Sequence, residues 1–191
     1  MIGYAFCGSY CTFSRSLSAL RQLTELGHDI QPIMSERAYS EDTRFFMATE
    51  FAQLVSDITG KNIIHTVVDA EPLGPKNPLD ALIIAPCTGN TLSKLASGIT
   101  DSAVTMAAKA HLRADRPLLI ALATNDAMSQ NLGNIGHLLL RKSVYFVPLR
   151  QDDPIGKPHS LVAEMEKIPE AFVNMMAGVQ MRPLFLEPKK N

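Results

Sequence analysis

Short apolar runs alternate with stretches of helical periodicity along most of this chain. The clearest run is residues 81–85, five apolar positions that end at Pro86. A run that is continuous, and too short for a helix, is typical of a strand buried on both faces. Similar runs predict further strands at residues 2–7, 29–34, 62–68, 117–123, 144–147 and, in the tail, 182–186.

Between these runs, apolar residues recur three or four positions apart, which is the spacing of an amphipathic helix. This pattern spans residues 13–23, 47–58, 92–99, 104–112, 132–139 and 161–175. Gly27 and Gly60 follow the first two segments and predict helix ends there, because glycine readily adopts a left-handed C-cap conformation. Asp101 predicts an N-cap for the fourth helix, and Pro169 predicts a bend in the last one.

The remaining segments are expected to be irregular. A loop is predicted through Tyr39 and Ser40, and a surface loop over the polar, proline-bearing residues 149–160. Three prolines and a glycine within residues 69–78 exclude a regular helix there.

The alternation of strands and helices predicts a single-domain, doubly wound, Rossmann-like α/β fold with three layers and a mainly parallel sheet. The 191 residues fit one domain, with an α/β core over residues 1–178 and a tail over 179–191 whose charged end is expected to fray. Ligands of such folds bind beyond the carboxyl ends of the strands. Three polar turns fall there, at 8–12, 86–91 and 124–128. With the usual strand order, we expect them to face one pocket.

The composition and charge of the chain argue against several functional classes. The net charge is −1 and no basic run occurs, so a nucleic-acid partner is not expected. No apolar stretch reaches the ~18 residues that a membrane span needs, and no secretory signal precedes the first strand. The three cysteines show no disulfide pattern, which predicts a reducing, cytoplasmic setting.

Three common ligand-binding and catalytic motifs are missing or incomplete. Gly3 and Gly8 have the spacing of a phosphate-binding P-loop, but Ser9 occupies the position of its lysine. No Gly-x-Gly-x-x-Gly follows the first strand, which disfavours a nicotinamide dinucleotide site on this chain. No Gly-x-Ser-x-Gly nucleophile elbow is present either.

Neither metal binding nor a catalytic carboxylate is clearly indicated. Cys7, Cys11 and Cys87 all fall at predicted strand ends, but a fourth soft ligand is missing, so no metal is expected. Packing beside the pocket is the alternative role for Cys7 and Cys87. Asp69 and Glu71 follow the predicted third strand and are either pocket carboxylates or solvated loop residues. We retain Glu71 as one catalytic candidate.

Three stretches together resemble the flavoprotein family of FMN-binding cysteine decarboxylases. Gly8-Ser9 matches the family's Gly-Ser after its first strand, and residues 85–101 match Ala-Pro-x-Ser-Ala-Asn-Thr-x-Ala-Lys-x-Ala-x-Gly-x-x-Asp. Residues 122–128 correspond to Pro-Ala-Met-Asn-x-x-Met. The middle match is long and specific.

This resemblance implies roles by position. Gly8, Ser9 and the neighbouring Tyr10 would hold the phosphate of FMN at a helix start, and Ser35 would be a second phosphate or ribityl contact. The flavin ring would be lined by the turn residues Pro86, Cys87, Thr88, Asn90 and Thr91. Asn125 and Met128 match the motif whose asparagine contacts the substrate carboxylate, which makes Asn125 the second catalytic candidate.

The chain also departs from the family's pattern. Pro72 stands where the decarboxylases have a catalytic histidine, and proline has no proton to donate. Leu122 and Thr124 replace a proline and a methionine, and Gly89 replaces an alanine. FMN binding is still expected from the resemblance, whereas decarboxylation of peptidyl cysteine is not.

A closer likeness to one branch of the family is carried by residues 68–76, 101–110, 124–127 and 145–148. That branch implies an oxidoreductase-type subunit that acts with a separate partner subunit on a small dicarboxylate, in the mother-cell cytoplasm of a sporulating bacterium. NADP is expected on the partner. The family also implies a homo-oligomer, a trimer or larger. Two alternatives stay open: a stand-alone FMN-dependent decarboxylase or prenyltransferase, and a non-catalytic scaffold with a vestigial flavin site.

Overall fold

The structure is a computed structural model that describes residues 1–74, 76 and 78–188. Pro75 and Asn77, within the segment predicted to be irregular, lie outside the described residues. So do residues 189–191, on which the prediction of a frayed end falls.

Seven short strands form one sheet among the residues that the structure describes. They are β1 (Ile2–Phe6), β2 (Ile30–Met34), β3 (Ala81–Cys87), β4 (Leu118–Thr124), β5 (Val144–Phe146), β6 (Leu149–Arg150) and β7 (Leu161–Ala163). β1, β3 and nearly all of β4 are buried, as expected of central strands without polar alternation.

Eight helices connect the strands in the described part of the chain. They are α1 (Phe13–Glu25), α2 (Glu36–Ser40), α3 (Ala48–Thr59), α4 (Val67–Ala70), α5 (Gly89–Ser97), α6 (Ala103–Leu112), α7 (Leu132–Leu139) and α8 (Ile168–Met176). Short 3₁₀ turns at Tyr10–Thr12, Glu71–Leu73 and Met165–Lys167 add to them. Gly60 ends α3 in the left-handed conformation with φ of 66°, as its position predicts.

The sheet runs in the order β2-β1-β3-β4-β7-β6, and β5 pairs with the first half of β4. All pairs from β2 to β5 are parallel, whereas β7 pairs antiparallel with both β4 and β6. α1, α3 and α8 pack together on one side, and α4, α5, α6 and α7 pack on the other. The predicted three-layer, mainly parallel α/β fold is confirmed.

Two predictions in the first half of the chain are wrong. The third strand expected over residues 62–68 is reduced to a single bridge between Ile64 and Ile33, because α4 begins at Val67 with Thr66 as its N-cap. The loop expected through Tyr39 and Ser40 is the helix α2, which the Ser35 side chain caps. A short α4 also enters the segment where a helix was excluded, although its prolines do lie beyond Ala70.

The second half contains the larger corrections. The helix predicted over residues 161–175 divides into β7, a 3₁₀ turn and α8, and Pro169 lies at the start of α8 instead of bending a longer helix. The surface loop predicted over 149–160 begins with β6. The N-cap of α6 is Ser102, not Asp101. The strand predicted over 182–186 forms one bridge, between Phe185 and Leu149.

Candidate functional site

Two adjoining cavities lie at the carboxyl ends of the parallel strands. The β2-side cavity, of about 560 Å³, is lined by the starts of α2, α5 and α6. The β4-side cavity, of about 500 Å³, is lined by the turn after β1, the start of α5, the end of β4 and part of the segment between β6 and β7. Gly8, Tyr10, Thr88 and Asn90 line both cavities. The structure therefore brings residues of all three polar turns to the shared border of the two cavities, which we call the rim.

The turn after β1 presents the start of a helix to this rim. The Ser9 carbonyl accepts hydrogen bonds from the Thr12 amide at 3.0 Å and from Thr12 Oγ1 at 2.8 Å. The Ser9 side chain makes no capping hydrogen bond. Its hydroxyl is consequently available to a ligand beside the Tyr10–Thr12 turn that leads into α1.

The start of α5 forms the middle of the rim. Thr88 Oγ1 accepts a hydrogen bond from the Thr91 amide at 3.2 Å, which caps the helix, and donates to Thr91 Oγ1 at 3.1 Å. Asn90 is exposed one residue before Thr91. One turn later, Lys94 Nζ lies 2.7 Å from Asp101 Oδ2 and ties α5 to the segment before α6.

A buried polar cluster holds the start of α5 against the end of β4. Asn131 is 2% exposed; its amide donates to Asp126 Oδ1 at 3.0 Å, and its Oδ1 accepts from Ser93 Oγ at 2.8 Å. Thr124 Oγ1 donates a short hydrogen bond to the same Asp126 oxygen. A Cβ on Gly89 would lie 2.6 Å from Thr124 Oγ1 and 2.7 Å from Asn131 Nδ2. Only glycine allows this close approach.

Ser35 and Tyr10 border the β2-side cavity. Ser35 Oγ accepts a hydrogen bond from the Ala38 amide at 3.3 Å, so its main local role is to cap α2. The Tyr10 hydroxyl lies 3.0 Å from Glu41 Oε2 and 3.2 Å from the Arg37 carbonyl oxygen. Partial burial and the Glu41 carboxylate raise the pKa of Tyr10 to about 12. Tyr10 thus joins the β1 turn to the end of α2 as a neutral phenol.

Four of the residues proposed from the sequence do not line either cavity. Pro86 and Cys87 are buried at the end of β3, and the Ala85–Pro86 peptide bond is cis. Met128 is half-buried and its amide donates to the His159 carbonyl at 2.9 Å. Glu71 is exposed on a 3₁₀ turn that packs against α6. The rim holds the other proposed residues, namely Gly8, Ser9, Tyr10, Ser35, Thr88, Asn90, Thr91 and Asn125.

The segment between β6 and β7 is a part of the site that sequence reasoning missed. Asp152, Lys157 and Ser160 line the β4-side cavity, although residues 149–160 were expected to be a surface loop. Ser160 is 2% exposed and its hydroxyl donates to the Thr124 carbonyl at 3.3 Å. Arg44, before α3, was missed as well. The turn-forming residues around Gly156 were a signal in the sequence for a turn between two strands.

The three cysteines differ in their surroundings. Burial raises the pKa of the Cys7 thiol to about 11, despite a hydrogen bond from Thr91, and raises the pKa of Cys87 well above its usual value. Cys11 is exposed and lines the β4-side cavity. Among the described residues, no group of three or more histidine, cysteine or acidic side chains could hold a metal ion.

A model of the flavoprotein family matches residues 1–174, so the chain belongs to that family. It is 40% identical over 186 residues to the B subunit of dipicolinate synthase from Bacillus subtilis (strain 168), across 97% of this chain and 93% of that protein. The crystal structure of the dipicolinate synthase B subunit from Bacillus halodurans C is 41% identical, with a TM-score of 0.90 over 98% of this chain and 96% of that one. The family membership predicted from the sequence is confirmed.

The fold is shared more widely. The FMN-dependent cysteine decarboxylase SpaF superposes with a TM-score of 0.67 over 91% of this chain and 95% of that one, at 22% identity.

No helix in the described part of the chain has the length and apolar character that a membrane crossing requires.

The residues at the rim fit a flavin mononucleotide. Its phosphate needs amide and hydroxyl donors, and the Ser9 hydroxyl is such a donor beside a helix start, where a lysine is not required. Its ribityl hydroxyls need acceptors, and the Glu36 and Glu41 carboxylates line the β2-side cavity next to Ser35. Each of the two cavities is of the size that small-molecule sites have.

Proposed function

We propose that this chain is a subunit of dipicolinate synthase that works with a separate A subunit to convert dihydrodipicolinate to dipicolinate during sporulation, in the mother-cell cytoplasm. The likeness to the B subunit over nearly the full length of both chains carries this proposal. The polar rim at the strand ends supports it, because that is where an α/β fold binds small ligands.

FMN is the cofactor that the rim would hold. The Ser9 hydroxyl and the Gly8 amide would bind its phosphate, and Ser35 with its neighbouring carboxylates would contact the ribityl chain. Thr88, Asn90 and Thr91 would lie along the ring. When bound, a flavin supplies an acceptor for two electrons. We expect the NADP site on the A subunit.

The chain's own side chains would bind and orient the substrate. Asn125 lies exposed in the β4-side cavity, where its amide can donate to a carboxylate or accept from a ring N–H. The segment between β6 and β7 borders one side of that cavity. Glu71 is not at the rim, so we assign it no catalytic role.

Reconstitution tests this function. We expect the purified chain and the A subunit to form dipicolinate together, with little turnover by either alone. Flavin on the purified chain should be identified by its mass and absorption spectrum. Full turnover by the A subunit alone would contradict the proposal that this chain is an essential partner.

A scaffold with a vestigial flavin site is the second candidate. The observation that favours it is electrostatic: Gly8, beside which the phosphate would lie, also lines the β2-side cavity, where the carboxylates of Glu36, Glu41 and Asp101 outnumber the cations Arg37 and Lys94 and repel a phosphate dianion. The Ser35 hydroxyl is also engaged in capping α2. Titration of the purified chain with FMN decides between the two, since a scaffold would leave the flavin spectrum unchanged.

We also infer a homo-oligomer of three or more copies, as the family resemblance implies. Light scattering of the purified chain measures the mass directly, and a monomer at micromolar concentration would contradict this inference.

A further inference from the structure

The two cavities differ in charge. The β2-side cavity is lined by three carboxylates and two cations, whereas the charged residues lining the β4-side cavity are Arg44, Lys157 and Asp152. A dianionic ligand is therefore favoured on the β4 side, where cations outnumber carboxylates, and disfavoured on the β2 side, where carboxylates outnumber cations. The question is whether the two cations are free to bind it.

The Arg44 guanidinium rests on an aromatic ring. It lies 4.8 Å from the centre of the Phe45 ring and forms no ion pair with any residue that the structure describes. The ring supports the cation from one side without neutralising it. The planar guanidinium can donate to both oxygens of a carboxylate. Arg44 can bind an incoming carboxylate without breaking an ion pair to any of the described residues.

Lys157 is presented by an ordered turn. The Gly156 amide donates to Asp153 Oδ1 at 2.8 Å, and the Lys157 amide donates to the Asp153 carbonyl at 2.8 Å. Lys157 Nζ lies 3.0 Å from Asp152 Oδ2, which uses one of its three hydrogens. The ammonium is thereby held in the cavity lining with donors left for a ligand.

We propose that Arg44 and Lys157 form a dicarboxylate clamp, in which each cation binds one carboxylate of the substrate. Arg44 belongs to the segment between α2 and α3, and Lys157 to the segment between β6 and β7, so the two charges enter the β4-side cavity on different loops. Asn90 and Asn125 line the same cavity and can bond the ring that joins the two carboxylates. This assignment rests on the proposed function.

Calorimetric titration with dipicolinate and with picolinate, which lacks one carboxylate, tests the clamp in the complex with the A subunit. We expect Arg44→Gln and Lys157→Gln each to weaken dipicolinate binding about tenfold, equivalent to about 1.4 kcal/mol. Each variant should also reduce the preference for dipicolinate over picolinate, because one of the two charge pairs is gone. Arg44→Lys should restore part of the affinity.

Lys142→Gln is the matched control, since it removes one positive charge from a different cavity. It should leave both affinities unchanged. FMN affinity should change less than twofold in all variants. Dipicolinate binding that is equal in wild type and in both clamp variants would overturn the clamp and leave the proposed function standing. Weaker FMN binding with unchanged dipicolinate binding would also overturn it, by assigning the cations to the flavin phosphate. A wild-type complex that forms dipicolinate but does not bind it would overturn the clamp alone, whereas a complex that forms no dipicolinate would overturn the proposed function.

Discussion

Gly89 and Thr124 depart together from the family's pattern, which has alanine and methionine at these positions. In this chain, the space that an alanine methyl would take is filled by polar atoms of Thr124, Asp126 and Asn131. Those atoms are joined by hydrogen bonds behind the rim, so the two departures belong to one packing arrangement. A substitution at either position is therefore coupled to the other.

Gly89→Ala should lower the free energy of unfolding by about 1–3 kcal/mol, because overpacking forces the buried Asn131 to move. Urea denaturation measures the loss, and adding Thr124→Ala should recover part of it. Gly133→Ala is the control, since no atom lies within 4 Å of the added Cβ and alanine is the better helix former. Equal stability of Gly89→Ala and wild type would contradict the packing argument.

At the scale of elements, periodicity identified most helices and the central strands, but it failed where a short apolar segment joins the antiparallel part of the sheet. Leu161, Met165 and Ile168 have helical spacing, yet Leu161–Ala163 pairs with Thr124 and Ala123 as a strand. A three-residue strand shows too few positions for its period to be recognised. Residues 62–68 failed for a local reason, since Thr66 caps α4 instead of continuing a ladder.

The N-cap of α6 provides a test of one corrected boundary. Ser102 Oγ accepts from the Thr105 amide at 3.2 Å and Thr105 Oγ1 accepts from the Ser102 amide at 3.0 Å, a reciprocal capping box. Ser102→Ala should cost about 1 kcal/mol in urea denaturation. Asp101→Ala removes an exposed ion pair with Lys94 and should cost less than about 1 kcal/mol. The reverse order would show that Asp101 is the cap.

The segment between β6 and β7 should be ordered locally rather than by the core. A Cβ on Gly156 would collide with the Asp153 carboxylate, which accepts the Gly156 amide hydrogen bond. Gly156→Ala should therefore speed hydrogen exchange at residues 156–157 while changing the global unfolding free energy by less than about 1 kcal/mol. Ile155→Ala, at a side chain 95% exposed, is the control and should change neither quantity.

At the scale of the whole molecule, Cys7 and Cys87 report on the integrity of the core. Both are almost completely buried at the carboxyl ends of neighbouring strands, and their pKa values are raised by burial. Cys11 is exposed. A thiol reagent near neutral pH should consequently modify one thiol in the native protein and three after denaturation, and Cys11→Ser should abolish the native reaction. Rapid modification of two or more native thiols would contradict the described packing.

The same burial predicts a loss of stability at alkaline pH. The pKa of Cys7 rises from 9 in the unfolded chain to about 11 in the folded one, so above pH 9 the unfolded state loses a proton that the folded state keeps. The stabilisation is complete below pH 9 and is lost as the pH rises through about 11, with a slope of about 1.4 kcal/mol per pH unit between these two values. Urea denaturation between pH 8 and 11 should show this slope, and Cys7→Ala should reduce it. An unchanged slope in Cys7→Ala would contradict this origin.

The sequence by itself determined the α/β class, the central strands and most of the helices, because apolar runs and helical periodicity are local patterns. It also placed three polar turns at one sheet edge, since parallel strands put their carboxyl ends together. Only the tertiary structure decided that Arg44 and Lys157 line the β4-side cavity and that Pro86, Cys87 and Met128 line neither cavity. The physical reason is that cavity lining depends on contacts between segments distant in sequence, which no local pattern records.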